Sequence, residues 1–157
     1  MAARALRSWE VSIDKLGNTR LGVAFGMDKM SLSKSLDSTQ LRGHVWFVDY
    51  LGRFKHNAEG KVHTIAQLQD PLATGDSVAF LLDLRPAAGG RLSIRHNGRS
   101  QLMVADLPNS AEDLAERPYL PVFNLDNIGP CKPNKLEHLF CVLQDFNTGT
   151  PAHVAAV

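Results

Sequence analysis

The chain has 157 residues, of which 44% are hydrophobic and 21% charged, and its 17 basic and 16 acidic side chains leave a formal charge of +1. That length favours one domain around one core, and the composition excludes a disordered or low-complexity chain. The near-neutral balance excludes a broad field for nucleic acid or an anionic membrane. Cys131 and Cys141 form neither a disulfide framework nor a zinc spacing, so both read as reduced thiols of an intracellular, cytoplasmic protein. No apolar run approaches the roughly 20 residues of a membrane span, and the start "MAARALRSWE" lacks a hydrophobic signal core.

In "SWEVSID", Trp9, Val11 and Ile13 alternate with Glu10, Ser12 and Asp14, the period of a strand with one buried face. "RLGVAFG" repeats the pattern with Leu21, Val23 and Phe25, and its two glycines predict close packing of the sheet. The intervening "KLGN" supplies turn residues, which predicts that these first two strands pair as a hairpin. Residues 27–42, "MDKMSLSKSLDSTQLR", hold no sustained period and read as a long surface loop, or a loop with one short helical turn, of the kind that often carries function. Strand character returns in "HVWFVDY", in "RFKHN" after a turn at Leu51 and Gly52, and in "KVHTIA" after Gly60.

The turn-rich "LQDPLATGD" leads into "GDSVAFLLDL", where Val78, Phe80, Leu82 and Leu84 face one way and Ala79, Leu81 and Asp83 the other. After Pro86 to Gly90, Leu92 and Ile94 alternate with Arg91, Ser93 and Arg95, and "HNG" at 96–98 supplies a type I′ turn, so two hairpins follow in series. "YLPVFNL" and "EHLFCVLQDF" add two further strands, the latter apolar on both faces. About nine short strands without a long helix predict an all-β fold, an antiparallel β-sandwich of two packed sheets.

The chemical motifs yield no catalytic constellation. "GDS" at 75–77 precedes a strand rather than following one, and no Asp-x-x-His supplies a base to Ser77. Gly89 and Gly90 lack a Lys-Ser/Thr partner and a following helix, so they read as hairpin glycines rather than a phosphate loop. The six histidines, His44, His56, His63, His96, His138 and His153, show no metal-binding spacing. His56 and His63 stand where a hairpin would bring them together with Asp49, although structural histidines are the commoner outcome. No metal, cofactor or catalytic residue is expected.

Five segments, taken in order, resemble the SPRY domain, the core of the B30.2 family. "WEV" at 9–11 is similar to its first strand and "LGVAF" at 21–25 to its second; Trp46 followed by "GRFKHN" at 52–57 resembles its aromatic strand and Gly-to-His-Asn segment. "GDSVAFLLDL" followed by "GRLSIRHNG" is the most specific piece, and "YLPVFNL" at 119–125 resembles the family's Tyr-Pro-x-Val strand. The likeness spans residues 8–146, leaving 1–7 and 147–157 as flanking tails. The chain departs from the pattern in the inserted "RPAAGG", in Ala79 where glycine is common, and in the eight residues before the first motif, fewer than the N-terminal segment of B30.2 proteins.

The resemblance implies a sandwich of concanavalin-type jelly-roll topology, as a SPRY-only form or as a piece of a larger protein. Its implied role is a non-enzymatic, monomeric adaptor or substrate-recognition module that holds a protein or peptide ligand in loops at one end. The expected contact residues are Met30, Ser31, Lys34 and Asp37 in the loop 30–40, and Asp126, Asn127 and Ile128 in the turn 126–129. "DNIG" lacks the aromatic contact residues of peptide-binding relatives, so the resemblance implies no particular ligand. Two alternatives come from other classes. A carbohydrate-binding sandwich would need clustered aromatics, with Trp9, Trp46, Tyr50 and Tyr119 as candidates, and a small hydrolase would need a base beside Ser77.

Overall fold

The computed structural model describes residues 6–28, 30, 31, 34–116, 119–126 and 151–155. Ten strands are present among them: β1 (Leu6–Lys15), β2 (Asn18–Phe25), β3 (His44–Asp49), β4 (Arg53–Ala58), β5 (Lys61–Gln67), β6 (Ser77–Asp83), β7 (Arg91–His96), β8 (Arg99–Val104), β9 (Tyr119–Asp126) and β10 (Pro151–Ala155). They form two five-stranded sheets, ordered β10-β1-β6-β7-β8 and β5-β4-β3-β2-β9. Every pairing is antiparallel except β10 against β1. This is the all-β sandwich that the alternation predicts. A short α-helix, α1 (Ala111–Glu116), is capped by the Ser110 hydroxyl, which accepts from the Asp113 amide at 3.0 Å.

The core lies between the sheets. One sheet contributes Trp9, Val11, Ile13, Val78, Phe80, Leu82, Leu92 and Ile94, and the other Leu21, Val23, Phe25, Trp46, Val48 and Phe54. Trp9 stacks on Phe80 with ring centroids 5.1 Å apart, as a core residue does. Burial alternates along β6 as expected, with Val78, Phe80 and Leu82 inside and Leu81 exposed. Asn97 and Gly98, at φ 51° and 78°, form the left-handed pair that the β7–β8 turn requires.

The predicted hairpin of the first two strands does not form. β1 and β2 belong to opposite sheets, with only Leu16 and Gly17 between them, and their apolar faces meet across the core. Alternation specifies a buried face but not a neighbour, and two such faces are satisfied equally well by stacking as by pairing. The two hairpins expected in series form as β6–β7 and β7–β8, although "RSQLMV" begins on three polar residues and a register shift beside it between Ile94 and Arg95 breaks its period. Residues 151–155, expected in a tail, pair with β1 from Glu10 to Lys15. "EHLFCVLQDF" lies outside the described residues.

The segment after β2 is more buried than a surface loop. It runs back across the outer face of the second sheet, where Leu36 and Leu41 form a second apolar cluster with Ala24, Val45, Phe47 and Val122. We call residues 26–43 the strap. Asn57, fully buried on β4, pins it: Nδ2 donates to the carbonyls of Leu36 (2.8 Å) and Ser38 (3.0 Å), and Oδ1 accepts from the Gly60 amide (2.9 Å). Gly60 is required by the same approach, since a Cβ there would lie 2.1 Å from the Thr39 carbonyl oxygen. Beneath the strap, a Cβ on Gly22 would lie 2.0 Å from the Trp46 carbonyl oxygen, the close packing that "GVAFG" predicts.

Candidate functional site

The strap exposes some expected contact residues and consumes others. Met30 is 75% exposed. Ser31 is buried, its amide donating to Asp28 Oδ1 (2.7 Å) and its hydroxyl accepting from the Arg42 amide (2.8 Å), so it closes the strap on itself. Lys34 is half-buried and donates to Gln40 Oε1 at 3.3 Å. Asp37 accepts from Ser35 Oγ (2.7 Å) and pairs with Arg20 Nη2 (3.2 Å). Partial burial pushes the Asp37 carboxyl upward, but the Ser35 hydroxyl and the Arg20 and Lys55 charges outweigh it and hold the group below its usual range.

The second expected loop leaves the sheet elsewhere. β9 starts opposite Phe25, where the strap departs, and Asp126 ends it opposite Asn18, seven residue steps away, or roughly 23 Å. The two segments therefore do not spring from one end of the sandwich. The strap partly restores the proximity by carrying Asp37 back to Arg20, whose strand partner Asn124 is two residues from Asp126. Asn127 and Ile128 lie outside the described residues. Beside Arg20, Asp49 is buried with Arg53 Nε at 2.7 Å and Lys55 Nζ at 3.4 Å, so the strap rests on a network of paired charges.

The histidines group differently from the expectation. His56 and His63 are cross-strand partners, but Asp49 lies on the opposite face, and His44 completes the group with Nδ1 3.1 Å from His56 Nε2. Trp46 stacks on His56 at 4.6 Å. Among the described residues no cluster of three or more ligating side chains is placed to hold a metal. Burial, together with the neighbouring His44 and His63, pushes His56 down to about 4. Between pH 6.5 and about 4 the unfolded chain therefore binds a proton that the folded chain refuses. Stability is full above that window and falls as pH drops through it. Melting temperatures measured across the window are expected to show this slope, and His56→Asn to flatten it; an unchanged slope would assign the effect elsewhere.

The turn at 75–77 is organised for structure. Asp76 Oδ2 meets His96 Nε2 at 2.7 Å and accepts from the Ala73 amide at 2.8 Å, while Oδ1 accepts from Asn97 Nδ2 at 3.1 Å. The Ser77 hydroxyl donates to Glu10 rather than to His96. A carboxylate thus does stand beside Ser77, a contact between strands 67 residues apart that no local motif signals. Of the aromatics a sugar would stack on, Trp9, Trp46 and Tyr119 are buried and Tyr50 is 36% exposed. No helix among the described residues is long and apolar enough to cross a membrane. Neither a scan against protein-family models nor a search of the curated proteins returned a match for the chain.

Proposed function

We propose that this chain is a SPRY-like protein-recognition module without catalytic activity, acting as an adaptor that binds a peptide or protein surface through the strap. The observation that carries this reading is the strap itself. Leu36, Leu41, Ser31 and the bonds from Asn57 hold it against the sheet, and Met30 stands exposed beside the anchored Ser31, which lowers the conformational cost of binding there. Rigid loops on a sandwich are the usual place for recognition, with an apolar anchor among polar neighbours. The turn beginning at Asp126 is the second contact. The order of the five SPRY-like segments supports the same reading, and the burial of three of the four candidate aromatics weakens the carbohydrate alternative.

The test is a photo-crosslinking residue placed at Met30 and, separately, at the exposed Ser110. One protein species captured from Met30 and not from Ser110 is the expected result; no adduct, or equal adducts from both, would remove the strap as the site. The hydrolase alternative has its own test. Ser77→Ala is expected to leave ester turnover of the purified protein at the buffer rate, as before substitution. Measurable turnover by the parent protein that disappears in the variant would make Ser77 and Glu10 a catalytic pair.

A further inference from the structure

We propose that the outer face of the first sheet is a second docking site, one that takes an extended acidic peptide carrying an apolar side chain two residues from its carboxylate. An open groove of about 320 Å³ crosses this face, lined by Ser8 and Glu10 of β1, Ala79 and Leu81 of β6, Ser93 and Arg95 of β7, and Ser100 of β8. It spans four neighbouring strands, or about 14 Å, enough for about four residues of extended chain.

The charges on the face determine what fits. Glu10, Ala79 and Arg95 stand in one cross-strand row, with the small Ala79 as the floor between them. Two strand spacings, about 10 Å, separate the backbones of Glu10 and Arg95. The acids near the groove are engaged: Glu10 accepts the Ser77 hydroxyl, and Asp83 is held by Arg85 at 2.8 and 2.9 Å. Arg95 is exposed and its guanidinium makes no hydrogen bond or ion pair among the described residues. A guanidinium so placed favours a carboxylate, which it can bind through two parallel hydrogen bonds.

The next cross-strand row supplies the apolar half. Ser8, Leu81, Ser93 and Met103 are neighbours in register, with Leu81 42% and Met103 63% exposed. A peptide whose carboxylate meets Arg95 has the side chain two residues along, on the same face of the extended chain, over the row that holds Leu81 and Met103, while the serine hydroxyls meet its backbone. The site is independent of the strap, which covers the other sheet.

The probe is a phage-displayed library of random decapeptides panned against the purified protein and against its Arg95→Glu, Leu81→Ser and Met30→Glu variants, each checked for an unchanged melting curve. Enrichment of peptides pairing Asp or Glu with Leu, Ile, Val or Phe is expected, with at least a tenfold loss of affinity in Arg95→Glu, a smaller loss in Leu81→Ser and none in Met30→Glu. Failure to enrich such peptides, or their undiminished binding to Arg95→Glu, overturns the proposal. Loss in Met30→Glu alone assigns the acidic peptide to the strap and likewise overturns the groove, whereas crosslinking at Met30 reports on the strap separately.

Discussion

Leu82→Ala is expected to destabilise the domain by about 2–5 kcal/mol, the range for truncating a fully buried leucine. Leu82 is 1% exposed on β6, which pairs with β1 on one side and β7 on the other, and its strand partners are Arg7 and Leu92. Neighbours fixed by two ladders cannot collapse into the space left by three lost carbons, so a cavity term adds to the transfer term. Chemical denaturation of the variant beside Lys61→Ala, an exposed control, measures it. A shift no greater than the control's would mean that the inner face of β6 is not the packed face.

Asn57→Ala is expected to cost about 3 kcal/mol, because it strands the carbonyls of Leu36 and Ser38 and the amide of Gly60, and each unpaired buried group costs about 1–3 kcal/mol before water relieves part of it. The damage should be local in origin. Hydrogen exchange is expected to accelerate first at the amides of Ser38 and Leu41, which bond within the strap to the carbonyls of Ser35 and Ser38. A loss under about 1 kcal/mol with unchanged exchange would mean that Leu36 and Leu41 hold the strap without Asn57.

The inner faces of the strands were legible because burial on one side of a strand imposes a period of two on the sequence, as in Trp9, Val11 and Ile13. Which strands pair was not, since Val11 and Val23 carry the same signal whether their strands adjoin or stack. The strap's burial left no period either: Ser31, Leu36 and Leu41 are spaced five apart, which fits neither helix nor strand, so a serine-rich segment read as solvated. Asn57 illustrates the limit in another way. It sits in "KHN", one of the segments that resemble the SPRY pattern, yet two of its three partners, Leu36 and Ser38, lie on a segment with no recognisable motif. Of the expected contact residues, Met30 is the one that exposure favours, Ser31 is spent on the fold, and the placement of Asp126 at the far end of β9 depends on strand order, which is a property of the whole sheet.

The strap also bears on how this protein can change. Its positions divide into anchors, namely Ser31, Leu36 and Leu41, and display positions, namely Met30, Thr39, Gln40 and Arg42, which face solvent. Substitutions at display positions alter what a partner meets while leaving the anchors in place, whereas those at anchors alter the fold before any partner is involved. A surface built this way can acquire a new specificity in single steps, each viable on its own, and the same positions are where a designer could write a different recognition sequence onto the sandwich.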